Sequence, residues 1–180
     1  RFKDAGWGNA VKIRRVLKDP EVIGFDEGSR VTANKLKEVE TIVGSEIMRA
    51  LGYLTADVRL ERTELTDKGA KVNYRINRGE KYEIDSVTVD GKIFQDQKFW
   101  QVAVSRFKGK SFTSSNMQDL EESIRRKSRR ADYIEPSIEF EMGPGEEPAT
   151  VAVTAQVDEG NKADLSRLRI RRRSGLRGYG

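Results

Sequence analysis

Apolar residues along this chain follow two rhythms that recur in a fixed order. Leu36, Val39, Val43, Ile47 and Leu51 follow one another at steps of three and four, one face of a helix with a 3.6-residue period. Thr32 stands where it can cap that helix, and Val31 and Leu36 have the spacing of a hydrophobic staple. After Gly52-Tyr53 the period drops to two. Val58 and Leu60 alternate with Arg59 and Glu61, and beyond the turn-like Thr66-Asp67-Lys68-Gly69 the apolar set is Val72, Tyr74 and Ile76. The pattern predicts a hairpin with one dry face.

The same string then returns. Gly28, Val31 and Thr32 fall on Gly109, Phe112 and Thr113 at a shift of 81 residues, and Tyr53, Val58 and Leu60 fall on Tyr133, Ile138 and Phe140 at a shift of 80. Val72, Ile76 and Gly79 fall on Val153, Val157 and Gly160, back at 81. Order and chemistry kept over that length predict a duplication. The first copy carries one extra residue in or after its helix. In the second copy Phe112, Thr113 and Met117 repeat the staple and cap, and Leu120 and Ile124 continue the stripe. Its hairpin pairs Ile138 and Phe140 with Val151, Val153 and Val157 across Gly143-Pro144-Gly145-Glu146-Glu147-Pro148.

A shorter helix is expected ahead of each capped one. In the second copy it spans residues 94–107 with Asp96 near its start; in the first it spans 9–25, broken or restarted at Asp19-Pro20. An opening strand is expected within residues 2–7, with a turn at Gly8-Asn9, and another over 82–89 that Gly91 closes. The unit is therefore strand, helix, helix, strand, strand. The chain reads as α+β, with a first repeat at 1–79, a second at 80–161, and a segment at 162–180 opening a third through Leu165, Leu168 and Ile170.

Composition narrows the chemistry. The 180 residues contain no histidine and no cysteine, which removes zinc and haem ligation, iron–sulfur clusters, thiol nucleophiles and Ser-His-Asp triads. No cofactor, metal or catalytic residue is expected, and the chain reads as a non-enzyme. Carboxylate pairs do not change this, because Glu121-Glu122 falls on a helix surface and Glu146-Glu147 in a Pro/Gly turn. Gly109-Lys110-Ser111 imitates the end of a phosphate loop, yet Val104 stands where its first glycine would be. No apolar stretch approaches the ~20 residues of a membrane helix. The start at Arg1 suggests a piece of something longer.

The net charge of +5 is not spread evenly. Residues 162–180 hold seven cations and one anion, +6, so residues 1–161 sum to −1. A balanced body with a basic tail is no nucleic-acid surface. A second basic cluster, Arg125, Arg126, Lys127, Arg129 and Arg130, falls at a helix C-terminus that favours positive charge. Its bland reading is a solvated last turn; its functional alternative is contact with anionic lipid head groups or an acidic partner.

The segment Tyr82-Glu83-Ile84-Asp85-Ser86-Val87-Thr88-Val89-Asp90-Gly91, the capped helix ending in Gly52-Tyr53 or Asp132-Tyr133, and the hairpin closing on Arg78-Gly79 or Glu159-Gly160 together resemble the polypeptide-transport-associated (POTRA) domains. These are periplasmic repeats ahead of the membrane barrel in BamA-like and TamA-like outer-membrane assembly proteins. The resemblance implies a three-stranded mixed sheet covered on one face by two helices, with the first hairpin strand at an edge. It implies a periplasmic location, tethered to the outer membrane through a barrel beyond this stretch, or the equivalent organelle compartment.

An edge strand presents unpaired N–H and C=O groups with which an extended segment can pair. The expected edge residues are Val58, Arg59, Leu60, Glu61 and Arg62 in the first copy and Ile138, Glu139, Phe140, Glu141 and Met142 in the second. The expected partners are unfolded outer-membrane protein clients or accessory assembly subunits, bound by β-augmentation. The opposing reading is that the edge charges exist to prevent pairing. The runner-up function is a structural scaffold of division or secretion type with one dedicated partner.

Overall fold

The computed structural model describes residues 1–26, 28–67 and 69–162. Leu165, Leu168 and Ile170, the expected opening strand of a third repeat, lie outside the described residues. The element order is β1 (Phe2–Lys3), α1 (Trp7–Lys18), α2 (Ala33–Thr41) continuing into a π-helical segment (Ile42–Met48), β2 (Asp57–Thr66) and β3 (Gly69–Asn77). Then follow β4 (Glu83–Gly91), α3 (Gln97–Val104) with a 3-10 turn (Ser105–Phe107), α4 (Ser114–Arg129), β5 (Ser137–Pro144) and β6 (Thr150–Asp158). The strands form two sheets in the orders β1-β3-β2 and β4-β6-β5. In each, the middle strand runs parallel to the first strand and antiparallel to its hairpin partner. The α+β architecture of two mixed three-stranded sheets is the expected one.

Each sheet has its own core. Ile13 and Leu17 of α1 and Val39, Val43 and Ile47 of the capped helix pack on Val72, Tyr74 and Ile76. Trp100, Phe107, Leu120 and Ile124 pack on Ile84, Val89, Val153 and Ala155. Full burial of a side chain such as Leu120 or Ile124 contributes about 1.5–3 kcal/mol, so both stripes read from the sequence hold their helices down.

The helix ends follow local chemistry. Thr32 Oγ1 accepts the Lys35 amide at 3.3 Å and Thr113 Oγ1 accepts the Asn116 amide at 3.2 Å, as the capping pattern predicted. At the C-termini, Tyr53 N–H donates to Met48 O (2.9 Å) and Tyr133 N–H to Ser128 O (3.1 Å), the long bond of a Schellman motif. The residues between helix and tyrosine, Gly52 and Asp132, take φ of 93° and 69°. The extra residue of the first copy is taken up inside the helix as the π-helical turn, so both helices still end in the same cap.

Three local expectations shift. The opening strand is only Phe2–Lys3, because Asp4 (φ 64°) and Gly6 (φ 78°) turn the chain. That places Gly8 and Asn9 inside α1 instead of in a turn, with Asn9 Nδ2 bonded to Ala5 O at 2.9 Å. At Pro20 the helix breaks, one of the two outcomes expected there: Asp19 is already extended (ψ 119°), as favoured before a proline, and its carbonyl then takes the amides of Val22, Ile23 and Gly24 in a turn. Finally, β5 runs through Pro144, which shortens the second hairpin's turn to residues 145–149. Proline is tolerated at the end of an edge strand.

Candidate functional site: a strand edge beside an inter-repeat groove

Both first hairpin strands, β2 and β5, lie at sheet edges. They differ in almost every other respect. On β2 the register slips between Leu60 and Arg62, so Glu61 bulges out of the ladder. The Leu60 amide is taken by the Glu40 carboxylate of α2. Val58 is buried in the first core, whereas Leu60 is 37% exposed, pushed to the rim by the bulge. The charges satisfy one another: Arg59 with Asp57 at 2.7 Å, Arg62 with Glu64 at 3.2 Å, and Glu61 with Lys3 at 2.7 Å and with Arg75. The Lys3 hydrogen bond, reinforced by Arg75, holds the Glu61 carboxyl below the ordinary carboxylate range. This edge is bent, capped and self-paired.

On β5 the register is unbroken from Ser137 opposite Asp158 to Pro144 opposite Val151. Alternation along an antiparallel ladder leaves every second residue of β5 with its main-chain groups directed away from β6. Ile138 and Phe140 pack half-buried against the second core. Met142, two residues further on the same face, is 60% exposed. Glu139 and Glu141 point to the opposite face, exposed and without an ion-pair partner among the described residues.

Met142 is exposed because it borders a groove of about 920 Å³. One wall is β5, through Phe140, Met142 and Pro144; the other is the C-terminal end of the first repeat's helix, through Glu46, Arg49 and Ala50, followed by Leu54 just beyond it. Tyr82, Phe112 and Met117 also line it. Its shape is set by a main-chain relay between the repeats. Tyr82 N–H donates to Gly52 O at 2.8 Å, and Phe112 N–H donates to Tyr82 O at 2.8 Å. Leu54, beyond the first helix cap, packs against the second core. The sequence pattern identified the β5 residues but not Leu54, Tyr82 or Glu40, whose roles exist only across the joint or across the sheet.

Three of the five cations at the end of α4 are held by contacts within the fold. Arg125 pairs with Glu121 at 2.7 Å and donates to Pro136 O, Arg129 pairs with Glu122, and Lys127 lies over the Phe99 ring. Lys110 of the false phosphate loop lies over Phe107. Among the described residues there is no cluster of three or more metal-ligating side chains, and no helix is long and apolar enough to cross a membrane.

No family model and no curated protein matches this chain. Similar solved structures include POTRA3-5 of Haemophilus influenzae BamA, 17% identical over 89% of this chain and 65% of that one, with a TM-score of 0.48. Another is the Haemophilus ducreyi BamA lacking POTRA domains 1-3, 14% identical over 87% and 28% of the two chains, TM-score 0.49. A third is POTRA1-2 of the periplasmic domain of Omp85 from Anabaena, 16% identical over 91% and 93%, TM-score 0.47. The chain thus spans less than two thirds of the first two.

Proposed function

We propose that this chain is a tandem pair of POTRA-type repeats, 1–79 and 80–161, with the basic segment 162–180 opening a third. In this reading it is a non-enzymatic docking array in the periplasm, or the equivalent organelle space, ahead of a membrane barrel. It takes extended segments of unfolded outer-membrane β-barrel precursors or of partner subunits by β-augmentation. The observation that carries the proposal is the regular, uncapped edge of β5 lying along an apolar groove. Of the ten expected edge residues, Ile138, Glu139, Phe140, Glu141 and Met142 are assigned to binding. Val58, Arg59, Leu60, Glu61 and Arg62 belong to an edge whose bulge and capped amide oppose pairing.

The chain has no cysteine, so single cysteines report position cleanly. Cysteines placed at Ser137, Glu139 or Glu141 should form disulfides with an unfolded outer-membrane barrel segment carrying its own scanned cysteine. Yield should peak at every second client position, as strand pairing requires. Cysteines at Arg59 and at exposed Gln118 on α4 serve as comparisons. Yields on β5 no higher than at Gln118 would remove the edge mechanism.

A further inference from the structure

We propose that the β5 edge is selective for charge, and that the segment it takes alternates apolar and basic side chains. This rests on the edge reading above and specifies its partner.

A strand added beside β5 inherits the two faces of the sheet. Side chains level with Phe140 and Met142 enter the apolar groove, and the intervening ones stand on the other face directly across from Glu139 and Glu141. The charged side chains that these three strands place on that face are all acidic. The rows across the sheet are Glu139, Gln156, Asp90 and Glu141, Thr154, Thr88. No lysine or arginine occurs anywhere in β4, β5 or β6. The nearest cation in sequence, Lys92, is already bonded to Asp158 at 3.0 Å. Nothing on these three strands neutralises Glu139 and Glu141.

The first repeat shows that this is not a general property of the fold. The row that corresponds to Glu139, Gln156, Asp90 is Arg59, Arg75, Lys3, and its charges are matched internally by Asp57 and Glu61. At equivalent places one sheet is basic and self-paired, the other acidic and open. Two carboxylates two residues apart, on the regular β5 edge and with only neutral Gln156 and Thr154 opposite them on β6, are complemented by two cations at the same spacing on an incoming strand. The +5 of the whole chain comes from residues 162–180, and residues 1–161 sum to −1, so the double variant described below is what separates pairing at this edge from general attraction.

The test uses three end-blocked nine-residue probes that alternate valine with lysine, with glutamine or with glutamate, binding measured by fluorescence anisotropy against the full chain. The valine–lysine probe should bind about tenfold tighter than the valine–glutamine probe, the size two cross-strand ion pairs supply. The valine–glutamate probe should bind weakest. In a Glu139→Gln, Glu141→Gln double variant the lysine preference should shrink to twofold or less while the glutamine probe binds as before; both substitutions are at exposed positions, and circular dichroism checks the fold. Equal binding of the lysine and glutamine probes to the unaltered chain, or a preference that survives the double variant, overturns the charge selectivity and leaves edge pairing standing. Failure of all three probes overturns both.

Discussion

Tyr82 and Gly52 are joined by a main-chain hydrogen bond of 2.8 Å, which ties the residue just before β4 to the helix cap of the first repeat. Since Tyr82 also accepts the Phe112 amide, the joint between repeats is built from backbone and sets the width of the groove beside β5. Gly52 is required there on two counts. Its φ is 93°, and a Cβ would stand 2.9 Å from Phe112 O.

Gly52→Asn separates these reasons, because asparagine accepts left-handed backbone, as Asp132 does at the matching position. It still carries the clashing Cβ. We expect a loss of about 1–3 kcal/mol in urea denaturation, together with a changed inter-repeat distance in small-angle scattering. A variant as stable as the parent, with an unchanged scattering profile, would mean that the joint is looser than the relay implies.

Glu159 is 0% exposed, and its carboxylate accepts the amides of Ile93 (2.9 Å) and Phe94 (3.0 Å). Glu159→Gln leaves one of those donors facing an NH₂ group, at a cost of about 1–3 kcal/mol, read as a lower urea midpoint. Gly91→Ala should also destabilise, since its Cβ would meet Phe94 O at 2.5 Å and Glu159 Oε1 at 2.7 Å. Neither change touches the groove, so probe affinity per folded molecule should hold.

Glu40→Ala uncaps the Leu60 amide on β2. The bond is exposed, so the cost to stability should be only about 0.5–1.5 kcal/mol. The informative readout is pairing: a cysteine at Arg59 should now crosslink to unfolded barrel segments several-fold more than in the parent. If the yield stays flat, the bulge alone protects this edge.

The Glu61 carboxyl has its folded pKa depressed, first by the Lys3 hydrogen bond. A depressed carboxyl contributes stability that is present above its unfolded value, 4.5, and is lost as pH falls through the folded pKa. Asp158, held down first by Lys92 and then by the Gly160 amide, behaves likewise around its ordinary 3.8. Titration followed by carboxyl NMR should therefore show Glu61 ionising below its ordinary value, and Lys3→Ala should move it upward. An unmoved Glu61 would show that Arg75 supplies the whole effect.

Much of the architecture was legible because its signals are local. The Thr32 and Thr113 caps depend on neighbours three residues away, and the two hairpins were visible as alternation at Val58 to Ile76 and at Ile138 to Val157. Even the π-helical turn left a trace, one surplus residue between Thr32 and Tyr53. Misplaced features were those set by isolated backbone angles. Asp4 at φ 64° cut the first strand short, and no periodicity announces it.

The sequence by itself determined the repeat, the sheet faces and which strands carry edge charges, since each follows from periods of 2 and 3.6 residues and from caps a few positions long. Only the tertiary structure decided that the edges differ. Glu40 reaches Leu60 across 20 residues, and Tyr82 meets Gly52 across the joint, contacts that depend on how packed elements are placed and have no period to betray them. Charge is the same case: Glu61 and Glu141 look alike in the chain, and only the fold puts Lys3 and Arg75 beside the first while leaving the second open.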